Sequence, residues 1–159
     1  MPASTVWLID TSVLVEILKV PGKSQRHGEL KAEFDKRYRR GDNFVIPVTT
    51  LIETGNHISQ CQGDRRAAAN RFVELIQAAH GNSPPWLVRG LNWDACLLEQ
   101  LIKGDSTGST LFELLAAGRM GAGDVAILVE RDAFRRETAY DDVRVWTLEA
   151  ELSSFETPS

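Results

Sequence analysis

Four carboxylates, Asp10, Glu53, Asp124 and Glu149, sit at the end of an apolar run or at the start of a helix. Asp10 closes Val6 to Ile9, and Glu149 comes after Val143 to Thr147. Glu53 falls in the first turn of a helix opened by Thr49 and Thr50, and Asp124 starts a helix behind Gly121-Ala122-Gly123. In a parallel α/β sheet, sites form in the crevice beyond the carboxyl ends of the strands, where such acids converge from distant parts of the chain. Packed together they repel one another and require a cation, and an all-oxygen donor set suits Mg²⁺ or Mn²⁺. A centre of this kind activates water, orients a phosphate and stabilises a leaving oxygen, which is the chemistry of phosphodiester hydrolysis. Each acid also has an ordinary structural reading. Asp10 and Asp124 fit helix N-caps, Thr50-x-x-Glu53 fits a capping box, and Glu149 fits a surface acid.

The elements that must position these groups are set by apolar spacing. Val6 to Ile9 reads as a strand, and Val13, Leu14, Ile17 and Leu18 behind it recur at helical spacing until Pro21-Gly22. Glu29 to Arg40 reads as a helix with Leu30, Phe34 and Tyr38 on one face, and Phe44 to Val48 as a second strand. The helix after it has Leu51, Ile52 and Ile58 as its apolar positions. Arg65 to Ala79 is amphipathic through Phe72, Val73, Leu75 and Ile76, and His80 to Pro85 is a loop. Trp86 to Val88 is a short strand or an extended lead-in. Trp93 to Ile102, Leu111 to Ala117 and Val125 to Arg136 are helical, Val143 to Thr147 is a strand, and a short helix lies near Leu152 and Phe155. Strands alternating with helices imply an α/β fold with a small central parallel sheet and helices on both faces. One domain over residues 1–155 is expected, with 156–159 frayed.

With 43% hydrophobic and 25% charged residues, the 159-residue chain has the composition of a globular domain. No apolar run approaches the ~20 residues that cross a bilayer, and MPASTVWLID lacks a charged region ahead of an apolar one, so a cytoplasmic protein is expected. Cys61 and Cys96 form neither a disulfide framework nor a CxxC pair and read as reduced core thiols. The net charge of −4 argues weakly against a nucleic-acid partner, although an acidic site itself subtracts charge.

Four blocks resemble the PIN-domain family: VWLIDTSVLVEIL (6–18), IPVTTLIETGNHI (46–58), GAGDVAILVERD (121–132) and VRVWTLEAEL (143–152). Their order and spacing carry the resemblance over most of the chain. It implies a PIN-like fold and a metal-dependent endoribonuclease, of the kind that acts as the VapC-type toxin of a toxin–antitoxin pair. It implies metal-site acids at Asp10, Glu53 and Asp124, with Ser12 holding a carboxylate or a metal-bound water. The last block departs from the family, which commonly has Asp where this chain has Glu149; Asp141 and Asp142 are the nearby substitutes. The resemblance also implies an antitoxin partner and a homodimer. The alternative is a catalytically weak or inactive PIN-like module that binds RNA or protein. A phosphatase ranks behind both, because Asp10-Thr11-Ser12-Val13 lacks the second Asp of a DxDxT motif.

Among the cations, Arg65, Arg66 and Arg119 lie near blocks two and three and are the candidates for RNA contact. Lys36 to Arg40 reads first as a solvated helix end complementing the dipole, and second as a phosphate grip. His57 shares a helix face with Glu53 and reads as a partly buried histidine. Gly121-Ala122-Gly123 is not a phosphate loop, because no Lys-Ser/Thr comes after it; its glycines permit a close helix start beside the acids. The four tryptophans read as core or interface anchors.

Overall fold

The computed structural model describes residues 4–81, 83–87, 92–140 and 142–156. Apolar residues that point to both sides of a strand belong in a sheet covered on both faces, and β1 (Val6–Ile9) is such a strand. Val6 and Leu8 enter one core cluster and Ile9 the other. β1 is central in a three-stranded sheet of order β2-β1-β3, parallel to β2 (Asn43–Val45) and to β3 (Val143–Trp146). Trp86 adds a single parallel bridge beside Phe44, so the segment is an extended lead-in; Val88 lies outside the described residues. Parallel pairing requires long crossovers, and here they are helical. The chain leaves β1 towards β2 and then crosses to the far side of β1 to form β3. The end of β1 is therefore a topological switch point, where α/β sheets open a crevice.

On one face α1 (Thr11–Ile17), α2 (His27–Arg39), α3 (Val48–Gln60) and α4 (Arg65–His80) pack with Ile9, Phe44 and Trp146. On the other, α5 (Ala95–Lys103), α6 (Leu111–Ala116) and α7 (Ala122–Glu137) pack with Val6, Leu8, Val143 and Val145. Every residue of α7 from Val125 to Phe134 is buried, as expected of a helix enclosed all round. Its charged pair Arg131–Asp132 is buried with it at 3.0 Å. α8 (Ala150–Ser153) comes after β3 and seats Leu152. Among the described residues no helix is long and apolar enough to cross a membrane.

The apolar stripes differ in places from the sequence reading. In α2 the inward row runs Leu30, Phe34, Arg37, while Tyr38 is 50% exposed. The Arg37 guanidinium takes the inner place because it stacks between the Trp7 and Trp146 rings, at 3.9 and 4.1 Å. Within the run Lys36 to Arg40, Arg37 and Arg40 are thus tied into the fold, the latter paired to Asp42, while Lys36, Tyr38 and Arg39 are exposed. In α3 the buried row is Thr50, Thr54 and Ile58, and Ile52 faces outward. Val73 also faces outward, and Cys96 is exposed and Cys61 half-buried, so neither is a core thiol. Trp86 and Trp146 are core residues.

Gly55 lies inside α3, where a Cβ would meet nothing within 4 Å and the backbone needs no left-handed φ. Glycine costs a helix interior roughly 1 kcal/mol relative to alanine. Gly55→Ala should therefore raise the Tm by about 2–4 °C in calorimetry; a lowered Tm would contradict the open space.

Candidate active site

Asp10 comes directly after β1 at the N-cap position of α1, yet its side chain caps nothing. Its Oδ2 instead accepts hydrogen bonds from Ser12 Oγ at 2.7 Å and Thr147 Oγ1 at 2.8 Å. Each hydroxyl is held in turn by the turn after β3, through Leu148 N–H to Ser12 Oγ and Glu149 N–H to Thr147 Oγ1, both 3.0 Å. The ends of β1 and β3 are thereby tied together around a carboxylate that is 2% exposed.

Glu53 is placed by α3, which begins two residues before Thr50, so Glu53 lies a full turn in and beyond the reach of a cap. The capping box does not form. Thr50 Oγ1 donates to Ile9 O at 2.8 Å and fastens α3 to the end of β1, while Glu53 Oε2 accepts from Thr11 Oγ1 at 2.8 Å. Asp124 is the third residue of α7 and takes the Gly121 N–H, half of a capping arrangement. Glu149 stands at the N-cap of α8 without capping it and hydrogen-bonds to Asp124. Three of the four acids, then, do no capping for the helices they begin or enter.

The electrostatics join the four. The Asp124 carboxyl is raised, first by burial and then by the charge of Asp10, with Glu53 adding to it. Glu149 is pushed up to about 7 by burial and by the charges of Asp124, Asp10 and Glu53. Among the described residues no lysine or arginine forms an ion pair with any of them. Acids gathered without a counter-cation suit a hard divalent ion. As they stand, however, no three His, Cys, Asp or Glu side chains among the described residues close into a metal-holding cluster. The donor chemistry of Asp10, Glu53, Asp124 and Glu149, all oxygen and all anionic, is nevertheless of the kind that suits Mg²⁺ or Mn²⁺.

Other candidates fall elsewhere. Asp142 precedes β3, at the opposite end of the sheet from the acids, where it takes hydrogen bonds from Thr5 and Arg144; Asp141 lies outside the described residues. Asp142 cannot replace Glu149, because in a parallel sheet residues before a strand and after it lie at opposite edges. Arg119 is paired with Glu151 at 2.8 Å. Arg65 and Arg66 border a groove of about 400 Å³ floored by Ile58 and Phe72. His57 is lowered mainly by burial and by Lys23, with Glu53 opposing.

Sequence reasoning missed Thr11 and Thr147, and it placed Gly123 beside the acids without identifying Glu53 as the group it faces. The hydroxyls were visible as Asp10-Thr11-Ser12 and Thr147-Leu148-Glu149, a hydroxyl residue beside or near each acid. Gly123 packs so closely on Glu53 that a Cβ there would lie 2.5 Å from Glu53 Oε1. No protein-family model matches the chain, and neither the curated proteins nor the solved structures contain a significant match.

Proposed function

We propose that the chain is a metal-dependent endoribonuclease of the PIN-domain kind, the toxin of a toxin–antitoxin pair. The observation that carries the reading is the mutual electrostatic influence of Asp10, Glu53, Asp124 and Glu149, from four separate segments, with no cationic side chain among the described residues paired to them. These four would hold Mg²⁺ or Mn²⁺, which when bound lowers the pKa of water and offsets phosphate charge. The rest falls to the chain. Ser12 and Thr147 fix the direction of the Asp10 carboxylate, Thr11 fixes Glu53, and the turns after β1 and β3 hold both at one rim of the crevice. In the reaction the water oxygen bonds to phosphorus, the bond to the 3′ oxygen breaks and that oxygen gains a proton. The products carry 5′-phosphate and 3′-hydroxyl ends. The choice of RNA, the antitoxin partner and the homodimer rest on the resemblance of the four sequence blocks. Co-purification with a small partner and light scattering test the last two.

A labelled single-stranded RNA incubated with purified protein tests the reading: cleavage with Mn²⁺ that stops with EDTA supports it. A second reading, a PIN-like module that binds without cutting, draws on the acids not closing into a ligand cluster among the described residues. It predicts no cleavage with either metal and no cost to growth on expression.

Glu149 supplies a pH test. Its proton must leave for a cation to enter, and at about 7 that proton is still half-held at neutrality. Mn²⁺ uptake should therefore tighten between pH 6 and pH 8, and Glu149→Gln should flatten the dependence. An unchanged slope in the variant would show that another group governs it.

A further inference from the structure

We infer that Thr11 and Gly123 are positioning residues for Glu53, a clamp in which Thr11 holds one carboxylate oxygen and Gly123 leaves the room that the other occupies, an inference that rests on the metal-site reading above. A glutamate side chain has several rotatable bonds, and one that must present an oxygen in a fixed place needs outside restraint. Here Thr11 supplies it at one oxygen, and Gly123 leaves the space into which the other fits. Oε2 takes the Thr11 hydroxyl at 2.8 Å, and Oε1 fills the space where residue 123 would carry a Cβ, 2.5 Å away.

Backbone geometry does not account for the glycine. Gly123 sits inside α7 with no left-handed φ, a place where alanine is the better helix former. Gly121 and Gly55, each within three residues of one of the acids, have nothing within 4 Å of a Cβ. At Gly123 the nearest atoms are Glu53 Oε1 and then Thr49 Cγ2 at 3.2 Å. The atom in the way is the far end of a flexible side chain. A methyl group at 123 thus swings the Glu53 carboxylate aside and leaves the helices largely in place. The position is read by Glu53, and through it by whatever the acids hold.

The test is Mn²⁺ titration by calorimetry on the full chain, with a melting curve for each variant. Gly123→Ala should melt within a few degrees of wild type yet bind Mn²⁺ at least about 10-fold more weakly, the scale on which ligand-orienting groups act. Glu53→Asp draws the carboxylate back by one methylene, so the pair Gly123→Ala with Glu53→Asp should bind more tightly than the two single losses combined predict. Thr11→Val should weaken binding by a similar factor and Thr11→Ser should restore it, while Gly55→Ala should leave it unchanged. Wild-type affinity in Gly123→Ala, or strict additivity in the pair, overturns the clamp alone. A wild-type chain that takes up no Mn²⁺ overturns the metal-site reading, and the clamp's role with it.

Discussion

Asp124→Asn is expected to lower RNA cleavage at least about 100-fold while leaving the Tm unchanged or raised. The two effects point in opposite directions for one reason. Burial and the charges of Asp10 and Glu53 raise the Asp124 carboxyl, so its charge is held in the folded chain against repulsion. An amide removes that charge, relieves its neighbours and keeps an oxygen to accept the Gly121 N–H. It also removes one of the anionic donors a divalent ion needs. If Asp124 served chiefly as a cap, the substitution would instead cost up to about 1 kcal/mol of stability and leave cleavage intact. Activity and melting measured on one preparation separate the two.

Glu130→Gln should have the largest effect on stability. Glu130 is 3% exposed in the middle of α7 and burial pushes it up to about 7, opposed by the Trp93 side chain, which hydrogen-bonds to it. Between the ordinary glutamate range and 7 the folded chain keeps a proton that the unfolded chain has released. Stability from this group is therefore full below that window, falls as pH rises through it, and stays low above 7. The displacement corresponds to roughly 3 kcal/mol at pH 8. Glu130→Gln removes the charge and retains an acceptor for Trp93, so it should be more stable than wild type at pH 8 and little changed at pH 5. Glu149 acts in the same direction, so a shallower slope persists in the variant. Urea midpoints across pH 5 to 8 measure this; a variant that is weaker at pH 8 would mean that the Glu130 charge has a partner.

The placement of the candidate acids was legible where they lie at strand ends. Val6 to Ile9 is a short apolar run and Val143 to Trp146 one interrupted only by Arg144, and parallel topology brings the residues just after each strand to one end of the sheet. The same rule disposes of Asp142, which comes before its strand. Periodicity leaves open which of two neighbouring residues completes a stripe. Tyr38 and Arg37 differ by about 100° around α2, and the choice falls to Arg37 only because Trp7 and Trp146 offer two ring faces. Ile52 and Val73 likewise face outward; in α3 the inner row goes to Thr50 and Thr54, with Thr50 bonded to the end of β1. The contacts around Glu53 had no local signature. Thr11 and Gly123 reach it from segments 42 and 70 residues distant in sequence, so only the fold brings them together.

The most direct test maps 5′ ends across total cellular RNA treated with purified protein and Mn²⁺, comparing wild type with Asp124→Asn. The account predicts new 5′-monophosphate ends at recurring positions with wild type and none with the variant. The same ends from both proteins, or no new ends from a folded wild-type protein, would contradict it.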